Sequence, residues 1–237
     1  MTSRPPIADP GSPDQSAPVR YNETLIAPYE RHALHFIARR LPAAITPDFL
    51  TAFGVFGALI VIGGYALSWA DIHWMWLANL GLVVHWLGDS LDGTVARFRK
   101  IERPRYGFYL DQVIDAVGNT LIALGVGLSP WMRMDLVLLV LALYHMLSIQ
   151  VYVRAIVDRE FHLAVGRLGP TEMRISIFGL NCVLMYLGRP REIAALGGLT
   201  WADALLLGLS AGLFVLFAMQ MWHHLTRFAA EDPRPKN

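Results

Sequence analysis

The stretch that decides the fold is Thr46-Pro47-Asp48 followed by residues 49–69, FLTAFGVFGALIVIGGYALSW. Residues 49–69 carry no charged side chain. At 1.5 Å per helical residue such a run reaches about 30 Å, the thickness of a bilayer's hydrocarbon core. The residues before it form a helix start signal: Thr46 as an N-cap hydroxyl, Pro47 at the first helical position, and Asp48 in the first turn. Five further apolar stretches follow, roughly 73–96, 108–129, 134–157, 173–188 and 202–222. The fifth span, 173–188, lies near the lower limit of about 17 residues for a crossing. In the last, Gly208 and Gly212 are spaced to let another helix approach closely.

The composition agrees with this reading. Of 237 residues, 54% are hydrophobic and 16% charged, with a mean hydropathy of +0.41, whereas a soluble domain carries about 25% charge. A disordered chain, a nucleic-acid-binding module and most soluble enzymes are excluded. The single cysteine, Cys182, excludes a disulfide framework and a thiolate metal site. The expected fold is all-α: a polytopic membrane protein with six transmembrane helices and an N-terminal interfacial amphipathic helix.

Residues 1–20 hold five of the 14 prolines and no apolar run, and read as a disordered tail. In 21–43, Leu25, Ile26, Tyr29, Ala33, Phe36 and Ile37 recur at helical spacing, opposite Arg31, His32, His35, Arg39 and Arg40. That pattern suits a helix lying on an anionic membrane surface; an amphipathic helix packed on the rest of the protein satisfies it equally. Residues 44–228 are expected to form the six-helix transmembrane domain and 229–237 a C-terminal tail.

Six spans put both termini on one side. With the N-terminus in the cytoplasm, 17 of the 20 Lys and Arg face inward and only Arg133, Arg189 and Arg191 face outward. The excess places both termini, and the loop 98–106, in the cytoplasm. The expected location is the cytoplasmic (inner) membrane.

Of 19 Asp and Glu, four sit inside the spans near the short basic loop: Asp89, Asp92, Asp111 and Asp115. Asp89 and Asp92 are three apart, Asp111 and Asp115 four apart, so each pair shares a helical face. The short loop makes the two helices antiparallel neighbours whose acidic faces can converge. An ionised carboxylate inside a span costs about 2.5–3.5 kcal/mol on the insertion scale, so cations, neighbouring arginines or protonation must compensate. A salt-bridge cluster or a proton pathway would use the same acids. An all-oxygen site without cysteine favours a hard ion, Mg²⁺ or Mn²⁺, over Zn²⁺. Four carboxylates would balance two divalent ions, a device for in-line phosphoryl transfer. Gly93 and Ala96 beside Asp92 would let a ligand approach the helix backbone, and Arg97 offers a planar fork for phosphate. The combination points to a nucleotide diphosphate.

The stretch Asp89-Ser90-Leu91-Asp92-Gly93-Thr94-Val95-Ala96-Arg97, with Gly107, Asp111 and Asp115, resembles the signature D-x-x-D-G-x-x-A-R, spacer, G-x-x-x-D-x-x-x-D of the CDP-alcohol phosphotransferase (CDP-alcohol phosphatidyltransferase) family. All eight fixed residues are present, over residues 89–115. The spacer from 98 to 106 is nine residues long, against a usual eight or so, and a surface loop absorbs the extra one. Thr46-Pro47-Asp48-Phe49-Leu50-Thr51 resembles a further family element, with Asp48 standing where Asn is usual.

The resemblance implies that Asp89, Asp92 and Asp111 are metal ligands. It makes Asp115 both a ligand and the general base for the acceptor hydroxyl. By the same resemblance Gly93, Ala96 and Arg97 line the CDP site, and Gly107 helps the loop fold over it. The implied reaction transfers a substituted phosphate from a CDP-alcohol, foremost CDP-diacylglycerol, to a small polar alcohol or alcohol phosphate, releasing CMP. The implied cofactors are two divalent cations, Mg²⁺ or Mn²⁺, and the implied assembly is a homodimer. Two alternatives stand beside it: transfer from CDP-choline or CDP-ethanolamine to diacylglycerol, and a proton- or cation-coupled transporter using the same acids. No nucleic-acid partner is expected.

Arg154 and Arg174 flank the second cytoplasmic loop and are candidates for binding an anionic acceptor, although topology alone also places arginines there. His85, one turn before Asp89, reads as a packed polar residue. The tryptophans near span ends read as an aromatic belt. The charge split generates a direct expectation: reporter fusions at Arg103 should report the cytoplasm, and an external signal would put the nucleotide on the wrong side of the membrane.

Overall fold

The computed structural model describes residues 20–21, 27–158, 161–162, 170–188, 193 and 198–232. The tail expected over 1–20, apart from Arg20, lies outside the described residues, as do 233–237. Seven helices are described: α1 (Ala27–Ala38), α2 (Pro47–Leu67), α3 (Met75–Arg99), α4 (Pro104–Leu128), α5 (Met134–Asp158), α6 (Pro170–Leu187) and α7 (Trp201–Glu231). A 3-10 turn, Ile72–Trp74, leads into α3, and a two-residue parallel pairing joins Arg20–Tyr21 to Phe161–His162.

All six expected apolar stretches are helical. Three helices, α2, α5 and α7, are long and apolar enough to cross a membrane. The others are set apart by charge and length. Helix α3 carries Asp89, Asp92, Arg97 and Arg99, α4 carries Arg105, Asp111 and Asp115, and α6 has 18 residues with Glu172 and Arg174 near its start. Helix α2 begins as its start signal requires, with the Phe49 N–H donating to Thr46 Oγ1 at 3.1 Å and Pro47 in the first turn. Helix α7 runs past its expected end at 222 to Glu231, into the stretch read as a tail. Its 31 residues exceed the ~20 that a bilayer core requires.

Helix α1 exists, and one of its faces is packed on the protein. Leu34 and Ala38 are buried against Leu50, Leu91 and Val95. Of the expected apolar stripe, Tyr29, Ala33 and Phe36 remain exposed. Arg99 fastens the connection from α1 to α2, donating to the carbonyls of Ile45 at 2.6 Å, Pro42 at 2.9 Å and Leu41 at 3.0 Å.

The central crossing is α2 against α3, and it is made by small residues. A Cβ added at Gly81 would lie 2.6 Å from the Val61 nitrogen, and one at Gly88 would lie 2.5 Å from Gly54 Cα and 2.6 Å from the Leu50 carbonyl. Such distances are possible only without side chains, so the two backbones meet directly, as small residues allow between membrane helices. By contrast, a Cβ added at Gly208 or Gly212 would meet no other helix of the described residues within 4 Å; the helix contact expected there is not made among the described residues.

Beyond this crossing the core is filled by Ala58, Val61, Tyr65, Ala78, Leu82, Ile122, Leu184 and Leu206. A polar chain threads it: Tyr65 donates to Asn181 Oδ1 at 2.7 Å, and Asn181 donates to Asn79 Oδ1 at 2.8 Å. Buried polar groups of this kind are tolerated because each finds a partner.

Replacing Gly88 with Leu should force α2 and α3 apart and lower the melting temperature of the detergent-purified protein sharply, overpacking typically costing about 1–3 kcal/mol or more. Gly63→Leu, where a Cβ meets nothing within 4 Å, should melt with the wild type.

Candidate active site

The reversal between α3 and α4 occupies only residues 100–103. Lys100 ends α3 in the left-handed conformation, φ 57°, and Ile101 N–H closes back onto the Ala96 carbonyl at 3.0 Å, an αL helix stop. Pro104 then opens α4 in its first turn. The nine-residue spacer thus divides into the end of α3, the break and the start of α4. Arg103 closes the reversal onto α2, its Nη2 lying 2.5 and 2.6 Å from the two Asp48 oxygens, and this hydrogen-bonded pairing holds the Arg103 guanidinium above its ordinary pKa. Asp48, standing where the family pattern has Asn, is therefore engaged in the loop's anchorage.

Because the reversal is tight, the acidic faces of α3 and α4 converge. Asp89, Asp111 and Asp115 each offer a carboxylate oxygen within 4.8 Å of the others. Asp92, one turn further along α3, is held by different contacts: Thr51 Oγ1 donates to its Oδ2 at 2.6 Å, and the Gly93 N–H donates to its Oδ1 at 2.5 Å. Asp111 Oδ2 accepts from Gln112 Nε2 at 2.7 Å.

Arg174, from the second turn of α6, reaches the same cluster. Its Nη2 lies 2.7 Å from Asp89 Oδ2 and 4.0 Å from Asp115 Oδ1, and the side chain is 7% exposed. A buried guanidinium of this kind partly neutralises the acids. Two like charges 4 Å apart repel by about 4 kcal/mol at an effective dielectric near 20, and three carboxylates exceed what one arginine balances. A hard divalent cation fits the set: all donors are oxygens, they come from three side chains around one point, and the net charge near them is negative.

The other sequence candidates fall into two groups. Gly93 and Ala96 are half-buried, Arg97 and Gly107 exposed, on the side where α3 ends and α4 begins. The Arg97 guanidinium folds over Gly93, so that a Cβ there would lie 3.1 Å from Nη1. These residues sit within a turn or two of the acids. Arg154 is placed differently: its Nε lies 3.2 Å from Asp158 Oδ2, and Asp158 also pairs with Arg227 of α7. His85 is buried, and its ring occupies the space left by Gly118, where a Cβ would lie 3.1 Å from Cε1; this matches the packed-polar reading.

Sequence reasoning left Thr51 and Gln112 without a role in the acid cluster. A threonine in an apolar span is a faint signal by itself; only the α2–α3 crossing turns Thr51 toward Asp92. The direct pairing of Arg174 with Asp89 likewise depends on where α6 packs.

No curated protein matches the chain. Among protein families, CDP-alcohol phosphatidyltransferase matches residues 44–215, from the segment before α2 to the middle of α7 and including every acid of the cluster. With the motif residues in register and the carboxylates gathered between α3 and α4, the chain belongs to the CDP-alcohol phosphatidyltransferase family, a family of transferases.

Proposed function

We propose that this protein is an integral-membrane enzyme of phospholipid synthesis that transfers a phosphatidyl group from CDP-diacylglycerol to the hydroxyl of a small polar alcohol or alcohol phosphate, releasing CMP. The observation that carries the reading is the meeting of Asp89, Asp111 and Asp115 within 4.8 Å, with Gly93 and Arg97 one to two turns along the same helix. Six spans, with both termini and the loop 98–106 in the cytoplasm, are the arrangement the charge split favours. The exposed stripe of Tyr29, Ala33 and Phe36 on α1 supports a helix lying at the membrane surface.

In this reading Asp89, Asp92, Asp111 and Asp115 would hold two divalent cations, Mg²⁺ or Mn²⁺. Bound cations would offset the charge of the pyrophosphate and of the departing CMP. Gly93 and Ala96 leave the face of α3 low enough for the nucleotide to approach the backbone, and Arg97, swinging off Gly93, pairs with phosphate. The acceptor oxygen attacks the phosphorus that bears the diacylglycerol oxygen. Its bond to the CMP oxygen breaks, and the acceptor's proton passes to the Asp115 carboxylate. Arg174, beside Asp89 and Asp115, supplies positive charge where an anionic acceptor would enter.

The test is a release assay. Purified protein with CDP-diacylglycerol and, in turn, glycerol phosphate, serine, inositol and inositol phosphate should liberate CMP with one acceptor, and chelation of divalent cations should stop it. A protein that releases no CMP with any of them, nor with diacylglycerol and CDP-choline or CDP-ethanolamine, is not this enzyme.

Asp115→Asn separates the base from the ligands. It should retain much of its metal-dependent CDP-alcohol binding while turnover falls by about 10²–10⁴-fold, the usual cost of losing a general base. Recovery of near wild-type turnover at high Mg²⁺ would make Asp115 a ligand only.

A further inference from the structure

Helix α1 lies before residue 44, where the family match begins, yet one of its side chains touches α3, which carries Asp89 and Asp92, and α6, which carries Arg174. Glu30 sits on the same face as Leu34 and Ala38, one and two turns earlier, and that face is the one packed on the protein. Its Oε1 accepts three hydrogen bonds: from Trp86 Nε1 at 2.7 Å, from Ser90 Oγ at 3.1 Å and from Thr171 Oγ1 at 3.0 Å. Three donors on one oxygen call for a strong acceptor, which a carboxylate oxygen provides.

The donors are placed tellingly. Trp86 and Ser90 are one turn apart on α3, and Ser90 stands between Asp89 and Asp92. Thr171 lies in the first turn of α6, three residues before Arg174, and so shares its face. The oxygen of Glu30 therefore links the rotation of α3, which aims Asp89, to the seating of α6, which aims Arg174. We propose that Glu30 is a positioning residue for the acid cluster: one carboxylate oxygen ties α1, α3 and α6 together so that Arg174 stays paired with Asp89 while Asp89 faces Asp111 and Asp115. This rests on the reading of the cluster as a metal-dependent transfer site. It adds a residue outside the signature to that site.

The full chain, purified in detergent, would be compared with Glu30→Ala, Glu30→Gln, Thr171→Val and the double variant Glu30→Ala/Thr171→Val. Three readouts apply: Mn²⁺ binding followed by electron paramagnetic resonance, CMP release from CDP-diacylglycerol, and thermal unfolding. Glu30→Ala should weaken Mn²⁺ binding about tenfold, the lower end of what residues supporting metal ligands contribute, with a matching loss of CMP release and little change in melting temperature. Glu30→Gln, which keeps an acceptor oxygen without the charge, should lie between Glu30→Ala and the wild type. Thr171→Val should weaken binding alone and add nothing to Glu30→Ala, because the two act through one contact. Unchanged Mn²⁺ affinity in Glu30→Ala overturns the proposal. So do strictly additive effects, and so do losses that follow melting temperature across the set. A wild-type chain that releases CMP normally beside an unaffected Glu30→Ala refutes the positioning role alone. A wild-type chain that neither binds Mn²⁺ nor releases CMP refutes the transfer reading and this inference with it.

Discussion

Three carboxylates held within 4.8 Å of one another in a helix bundle are the constraint that the surrounding structure answers. Their mutual repulsion, and the cost of an ionised group away from bulk water, would swing the helices that carry them apart unless other contacts fix those helices. The chain meets this with a guanidinium from a distant segment, Arg174, and with backbone packing that leaves α3 little freedom to turn.

The crossing of α2 and α3 is packed backbone against backbone. Gly57 meets Gly81, Gly54 meets Gly88 and Gly64 meets Ala78, which leaves the helices little room to slide. The same register brings Thr51 to Asp92, so the packing contact and the polar contact specify one rotation of α3. At the far end, the left-handed stop at Lys100 and the pairing of Arg103 with Asp48 fix how α4 returns. The exposed Arg103–Asp48 pair adds little stability by itself; its value is geometric, since it closes a break of only four residues.

The helices divide the work according to charge. Helices α3 and α4 carry the acids and depend on neighbours to surround them. Helices α5 and α7 are apolar, largely exposed in the isolated chain, and long enough to cross a membrane, which suits a wall against lipid. At the end of α5, Asp158 gathers Arg154 and Arg227 and ties α5 to α7. Several basic residues hold the structure together: Arg99 donates to four carbonyls of the α1–α2 connection, Arg103 closes the reversal, and Arg174 joins the acids.

The all-helical membrane class of the protein and the family signature that its acids complete were legible in the sequence. Apolar runs of bilayer length are local facts, as is a Thr-Pro-Asp start, and the spacing of Asp89, Asp92, Asp111 and Asp115 in a nine-residue-spaced motif fixes which helical faces they occupy. A short loop between two helices leaves antiparallel return as the natural outcome, so the convergence of the pairs was also legible. Which residues meet those acids from elsewhere was not. Arg174 and Thr51, which meet the acids, and Glu30, which meets the neighbouring Ser90, lie 59 to 85, 38 to 64 and 59 to 85 positions from the four aspartates, and no local pattern distinguishes them from any arginine at a basic membrane face, any threonine in a span or any acid in a first turn. Their contacts come from the rotation of α3 against α2 and from the seating of α1 and α6. Side-chain packing across the whole bundle decides these, and periodicity within one segment carries no information about the azimuth of another.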